Sequence, residues 1–217
     1  MTNKAQNSRT ASNAYLVARG ISVPGHLPLI ETDLTRSEAE VVDRLLCLNV
    51  CAAAAYGYDR QQGMSWVAKE GLEGSLETIE LAYLKDGSGP TSTFQKQVEA
   101  IYALAWALSL QNDLDLQLSC RDDFVLSLPN LKSGEASAKL RAHARLRPTS
   151  ELLRVTDLAY SVHWHIRNEG LAGREDKRFR PHVVVERRRA LEWLFSNKPW
   201  YEVNLDTQCP FSTHNGH

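Results

Sequence analysis

The sequence predicts an all-α fold, a single compact bundle of about seven to eight helices joined by short irregular connections. Two observations favour this class. Almost every patterned segment repeats its apolar residues at helical spacing, and the only run typical of a strand is the short Val183-Val184-Val185. We expect one domain over residues 1–217, with flexible tails at 1–7 and 209–217.

The helices of the first half are marked by caps and by glycines. Thr35 and Glu38 have the spacing of a capping box, in which each side chain accepts a hydrogen bond from the other residue's free backbone N–H. The apolar stripe that follows predicts a long helix that stops at Gly57. The segment Thr93–Leu110 is apolar nearly all round, which is typical of a central helix. The helices predicted in this half are 8–18, 35–57, 63–71, 75–85 and 93–110.

The second half begins with a polar, weakly amphipathic helix and continues with two longer ones. Pro148 precedes a helix that reaches about Gly170, and Pro181 occupies a first-turn position where its missing N–H costs nothing. The charged residues 173–180 between them predict a loop. The helices predicted in this half are 133–145, 149–170 and 181–195.

The composition is that of an ordinary globular protein, with 43% hydrophobic and 24% charged residues. No apolar run approaches the roughly 18 residues that span a bilayer. The first twenty residues lack the compact apolar segment of a secretory signal, and four irregularly spaced cysteines argue against a disulfide framework. We therefore expect a cytoplasmic protein that does not contact membranes.

Several segments occur in the order known from one bacterial family. They are Leu27 to Ile30, Arg36 to Leu48, Glu99 to Leu108, Leu146 to Tyr160, Pro181 to Phe195 and Lys198 to Thr207. On these residues the chain resembles the domain-of-unknown-function family DUF4272 over most of its length. The resemblance implies a helical fold with a further short helix near 122–128, and it attaches no chemistry to any residue.

No set of residues predicts a metal or another cofactor. His163 and His165 lie two residues apart, so on a helix their side chains diverge by about 200° and cannot meet at one ion. We expect one ring to pack inward and the other to be exposed. Cys47 and Cys51 share a helix face but lie among apolar residues, which favours two buried thiols over half of a zinc site.

Polar residues on two helices predict either a buried network or a cleft. Carboxylates inside an apolar bundle need arginine or hydroxyl partners, which favours a structural polar network. A cleft with a carboxylate base is the alternative. The residues at helical spacing are Asp157, Tyr160 and Trp164 on one helix and Glu186, Arg189 and Trp193 on the other. Asp157, Glu186, Arg187 and Trp193 match signature positions of the family that the chain resembles, and we assign the structural network to these four.

The triplet Arg187-Arg188-Arg189 does not predict nucleic-acid binding. Three consecutive residues spread around most of a helix, and Glu186 and Glu192 are available as partners within it. The sequence also lacks the phosphate-binding loop, the nucleophile elbow and the zinc-protease motif. Their absence favours a protein that is not an enzyme.

Acidic residues dominate the first part of the chain. Residues 1–134 hold 16 acids and 11 bases, whereas residues 135–217 hold 10 and 14. Patterned charge steers association with an oppositely charged protein, although a solvated face is the alternative. We predict a partner-binding surface made of an exposed ridge and a second group. The ridge contains Glu73, Glu77 and Glu80, next to Glu70, and the second group contains Asp113, Asp115, Asp122 and Asp123.

These observations lead to the hypothesis of a non-enzymatic immunity protein. It would bind and neutralise a cognate toxin, such as a basic nuclease effector of type VI secretion, through the acidic residues. The alternatives are an enzyme or binding protein with a small-molecule cleft near Asp157 and Glu186, and a self-associating scaffold such as a homodimer. A pocket with either carboxylate at its base favours chemistry, and burial of both favours the network.

Overall fold

The prediction of an all-α fold is confirmed by the computed structural model, which describes residues 2–22, 25, 27–30 and 32–207. Within these ranges the chain forms nine α-helices and no β-strand, and short 3₁₀ helices lie in the connections. The α-helices are α1 Thr2–Val17, α2 Glu38–Ala55, α3 Arg60–Lys69, α4 Thr78–Asp86, α5 Thr91–Lys96, α6 Val98–Ala107, α7 Ala138–His143, α8 Thr149–Leu171 and α9 Pro181–Trp193.

Helix α1 begins at Thr2, six residues before the predicted start at Ser8. Residues 2–7, which we expected in a flexible tail, are therefore helical. The reason is tertiary packing, because α1 lies along α8 and buries residues that recur every three or four positions along its length. The buried residues are Ala5, Ser8, Arg9, Ser12 and Leu16. The other predicted tail, 209–217, lies outside the described residues.

Helix α2 begins with a capping box two residues after the predicted one. Ser37 is the N-cap residue: its Oγ accepts the N–H of Glu40 at 3.3 Å, and the Glu40 carboxylate accepts the N–H of Ser37 at 2.8 Å. Thr35 is bound elsewhere, because its N–H donates to the carbonyl of Leu194 at 3.0 Å. The contact with the end of α9 thus moves the cap from Thr35 to Ser37.

The predicted helix 93–110 is divided into α5 and α6 at Gln97. The side chain of Gln97 is buried and its amide donates to the hydroxyl of Tyr201 at 3.0 Å. This division adds one helix to the expected number. Helix α6 is central, as predicted, since all its residues except Val98 and Tyr102 are buried. The short helix implied near 122–128 is a 3₁₀ helix, Asp122–Ser127.

One hydrophobic core contains residues from all nine α-helices. Helix α1 packs on α8, α8 on α9, and α9 on α6, in a continuous series, while α2 packs on α5 and α6. The polar residues of α8 and α9 consequently face several different helix interfaces. None of the helices in the described ranges is long and apolar enough to cross a membrane.

Candidate functional site

Asp157 forms an ion pair with Arg9 and makes no contact with the other residues of the predicted network. Nε and Nη2 of Arg9 lie 2.8–3.1 Å from the carboxylate oxygens, and the two side chains are 6% and 1% exposed. Arg9 also donates to the carbonyls of Leu27 and Pro28 at 2.8 and 2.9 Å. The pair therefore joins α1, α8 and the connection between α1 and α2.

Arg187 pairs with Glu99 of helix α6. Its Nε and Nη2 donate to one carboxylate oxygen at 3.0 and 2.6 Å, and its guanidinium lies 4.9 Å from the ring centroid of Tyr102, within cation–π range. Glu99 also accepts the backbone N–H of Cys120 at 3.1 Å. This pair joins α9 to α6 and to the segment that follows α6.

Glu186 and Trp193 belong to two further clusters. Glu186 lies 3.5 Å from Arg189 of its own helix, and burial raises the pKa of its carboxyl against the opposing effect of Arg189. The ring of Trp193 packs edge-on against Trp200 at 5.7 Å and lies 4.4 Å from the guanidinium of Arg36. The expectation of a single network of Asp157, Glu186, Arg187 and Trp193 is therefore wrong, because the four residues have different partners and Glu186 pairs within its own helix.

The expected exposed ridge of Glu73, Glu77 and Glu80 does not form. Glu80 is 0% exposed and Glu77 is half-buried, so Glu73 alone of the three is exposed. Glu70, next to the ridge in sequence, accepts the N–H of Ser137 at 3.0 Å. The physical reason is that the acidic face of α4 packs against α2, where an arginine compensates its charge.

That arginine is Arg44, which is 4% exposed. It forms an ion pair with Glu80 through Nη2, and its Nη1 lies 3.7 Å from Glu77. The hydroxyl of Tyr201 donates to Glu80 at 3.1 Å, and burial raises the pKa of that hydroxyl. The N–H of Trp200 donates to Glu77 at 2.9 Å. Glu77 and Glu80 thus hold α2, α4 and the C-terminal segment together.

The four aspartates of the second predicted group are all exposed, and they lie on residues 111–127, called here the acidic loop. The loop contains one basic residue, Arg121, whose Nη2 lies 2.7 Å from Asp123. Asp115 accepts the N–H of Leu118 at 3.2 Å, which closes a local turn. The loop therefore presents a net negative charge to solvent. The four residues are Asp113, Asp115, Asp122 and Asp123.

The acidic loop is fixed to the core at several points. The side chain of Gln111 donates to Ser127 Oγ at 3.1 Å and so joins the two ends of the loop. Tyr102 of α6 joins its two halves, because its hydroxyl donates to the carbonyl of Asp113 at 3.0 Å and its ring packs edge-on against Phe124 at 4.9 Å. Aspartates from both halves therefore lie around one anchor.

Three large apolar side chains of the acidic loop are exposed: Leu118 at 68%, Val125 at 54% and Leu126 at 83%. The sequence reasoning missed them. The signal was available, because Val125-Leu126 follows Asp122-Asp123 in a segment without a clear helical period. The loop thus combines exposed carboxylates with exposed aliphatic groups.

The expectation that one of His163 and His165 is exposed is wrong, since the residues are 8% and 9% exposed. His163 Nδ1 lies 2.6 Å from Nη1 of Arg188 and is the acceptor of that hydrogen bond. Burial, followed by the charge of Arg188, lowers the pKa of His163 to about 4. His165 Nε2 lies 2.9 Å from a carboxylate oxygen of Asp176. The two rings thus have separate partners.

The buried His163 predicts a loss of stability in mild acid. Between about pH 6.5 and about pH 4 the unfolded chain binds a proton at His163 that the folded chain does not, so the free energy of unfolding falls as pH falls. The slope from this group is at most about 1.4 kcal/mol per pH unit. His163→Gln keeps a side-chain carbonyl that can accept a hydrogen bond from Arg188. The variant is expected to lack the contribution of His163 to the slope of the free energy of unfolding against pH. Urea unfolding of the wild type and of this variant over the same pH range measures the two slopes. Equal slopes would mean that His163 is not the group that takes up the proton on unfolding.

Cys47 and Cys51 are fully buried free thiols, as predicted. Burial raises the pKa of Cys47 to about 12, so the thiolate that binds metals is disfavoured. In the part of the chain that the structure describes, no group of three or more His, Cys, Asp or Glu side chains is placed to hold a metal ion. Cys209 lies outside that part.

Two of the cavities that the described residues form open on the surface, and neither of these two is lined by Asp157 or Glu186. The first, of about 370 Å³, has charged walls that include Arg36, Glu40, Asp43, Arg44 and Lys198. The second, of about 350 Å³, lies between α8 and α9 and is largely apolar. A cleft thus exists between the two helices where the alternative hypothesis placed one, but the carboxylates of Asp157 and Glu186 are not part of its wall.

Comparison with known proteins gives one match. The family described as "Domain of unknown function (DUF4272)" matches residues 8–203. This range contains the acidic loop and all nine helices except residues 2–7 of α1. No curated protein and no solved structure matches the chain. Proposals about function therefore depend on the geometry of this chain.

Proposed function

We propose that this chain, which belongs to the family of unknown function DUF4272, is a non-enzymatic immunity protein that binds and neutralises a secreted bacterial toxin. The observation that supports the proposal is the acidic loop, which carries both exposed aspartates and exposed aliphatic side chains. The toxin is a basic protein, such as a nuclease effector of type VI secretion, and it is bound in the cytoplasm.

The apolar part of the loop supplies the contact area of such a complex. Six large apolar side chains are exposed within the described ranges, and three of them lie on this one loop. Leu118, Val125 and Leu126 would become buried on binding, and buried apolar groups at the centre of an interface carry much of its free energy. Single exposed apolar residues need no such explanation, whereas three on one loop of 17 residues point to a contact surface.

The carboxylates select the partner. Nuclease surfaces that bind phosphate are positively charged, and aspartates facing such a surface raise the association rate and reject acidic proteins. The loop is also fixed by Tyr102 and by the Gln111–Ser127 hydrogen bond, so little conformational entropy is lost on binding. A rigid acidic surface can thus occlude a basic active site.

The same charges argue against a second copy of this chain as the occupant. In a symmetric dimer whose two-fold axis passes through the loop, each loop faces its own copy, which brings aspartates against aspartates. Like charges placed opposite each other destabilise an interface by several kcal/mol. A basic partner is favoured over a homodimer by this observation.

Reversing the charge of the loop tests the proposal. A variant with Asp113, Asp115, Asp122 and Asp123 all changed to lysine is expected to bind the toxin at least about 100-fold more weakly, with a larger loss at low salt. The toxin is first captured with the tagged wild-type protein from its own host. Affinities of both proteins for the purified toxin are then measured at two salt concentrations.

The matched control reverses two exposed carboxylates outside the loop, with Asp33→Lys and Glu175→Lys. This control should retain the affinity of the wild type. Unchanged binding by the fourfold loop variant would show that the acidic loop is not part of the interface.

The immunity function is tested by growth. Expression of the captured partner alone must arrest growth, and co-expression of this chain must restore growth. A partner that does not arrest growth contradicts the immunity function.

A further inference from the structure

The largely apolar cavity between α8 and α9 has the size and lining of a small-molecule site. Its volume of about 350 Å³ is at the lower end of the range for ligand pockets. Apolar groups from three parts of the chain form most of its wall: Ile30 before α2, Tyr160 of α8 and Phe195 and Val203 after α9. The cavity is separate from the acidic loop.

The polar part of this wall is the ion pair between Arg188 and Glu192. Arg188 is 2% exposed, and its Nε donates to one carboxylate oxygen of Glu192 at 2.6 Å. Its other nitrogens are also engaged: Nη1 donates to His163 and to the carbonyl of Leu205, and Nη2 donates to the carbonyl of Asp206. Arg188 therefore has little capacity left for an anionic ligand.

Glu192 is in the opposite situation. The side chain is 17% exposed, it lines the cavity, and only one of its two oxygens receives the hydrogen bond from Arg188. Burial raises the pKa of its carboxyl against the lowering effects of Arg188 and Arg189. The second oxygen can therefore accept a hydrogen bond from a ligand in the cavity.

We propose that this cavity binds a small apolar molecule that carries one ammonium group, with the ammonium donating to Glu192. The apolar body of the ligand lies against Tyr160, Phe195 and Ile30, and the guanidinium of Arg188 already lies 4.7 Å from the ring centroid of Tyr160. Lys198 and Glu202 also line the cavity, and both are exposed, so solvent screens their charges.

The probe for this site is 2-phenylethylamine, with 2-phenylethanol and 3-phenylpropionate as analogues of the same shape but different charge. Titration calorimetry on the full chain should show that the amine binds at least about tenfold more tightly than either analogue, since a hydrogen bond to a charged group is worth about that factor. Equal affinity for the alcohol, tighter binding of the propionate, or no binding of the amine at millimolar concentration would overturn the proposal.

Two substitutions test whether the amine binds in this cavity. Glu192→Gln is expected to weaken amine binding at least about tenfold, whereas Glu186→Gln changes a buried carboxyl of the same helix outside the cavity and should leave it unchanged. If Glu192→Gln does not fold, Thr32→Trp replaces it, because Thr32 is exposed in the cavity wall and an indole there covers the opening. Undiminished binding by the variant that folds contradicts the site.

Discussion

Replacing Glu80 by alanine is expected to lower the free energy of unfolding by about 3–5 kcal/mol. The change leaves Arg44 buried at 4% exposure with only the more distant Glu77 as a counter-charge. It also removes the acceptor of the Tyr201 hydroxyl, which is itself bound to Gln97. Urea unfolding followed by circular dichroism gives the difference between variant and wild type.

The control for this measurement is Glu73→Ala. Glu73 belongs to the same predicted ridge but is exposed in the 3₁₀ helix Glu73–Ser75, so its loss should change the free energy of unfolding by no more than about 0.5 kcal/mol. Similar effects of the two substitutions would mean that Glu80 is not the buried partner of Arg44.

The second large effect is expected from Asp157→Ala, again about 3–5 kcal/mol of lost stability. Arg9 would remain at the interface of α1 and α8 with two carbonyl acceptors and no counter-ion. An uncompensated buried guanidinium is costly because desolvation strongly disfavours its charge. The measurement is the same urea titration, with loss of α1 from α8 visible as faster amide hydrogen exchange in residues 5–16.

A double variant separates the cost of the unpaired charge from the value of the pair. Arg9→Met together with Asp157→Leu replaces both charges by apolar groups and should recover most of the stability lost in Asp157→Ala. Asp123→Ala, which breaks an exposed pair with Arg121, should have little effect. A double variant as unstable as the single one would show that hydrogen bonds to Leu27 and Pro28 matter more than the charge.

Much of the fold could be predicted from the sequence because local signals decide it. The apolar stripe of α2, the nearly all-apolar α6 and Pro181 at the start of α9 each act within one helix. The errors occur where a distant contact outweighs a local signal. Thr35 is bound to Leu194, so the cap moves to Ser37, and Gln97 is bound to Tyr201 where the long helix divides.

The site was less predictable for the same reason. Helical spacing places Glu73, Glu77 and Glu80 near one another but does not say whether solvent or an arginine faces them. Arg44 lies 36 residues before Glu80, and nothing local links the two. The aspartates of the acidic loop were found by their charge, whereas their aliphatic neighbours become significant only once the fold shows that Leu118 and Leu126 are exposed.

The C-terminal segment 198–206 has a consequence for the order of events during synthesis. It supplies partners to side chains made before it: the carbonyl of Lys198 to Arg36, the hydroxyl of Tyr201 to Glu80 and the carbonyl of Leu205 to Arg188. While the ribosome has not yet released this segment, the buried charges of Glu80 on α4 and Arg188 on α9, and the guanidinium of Arg36 before α2, lack these partners. Cooperative folding of this chain should therefore require residues 198–206, and a nascent chain that stops before Lys198 should remain sensitive to proteases.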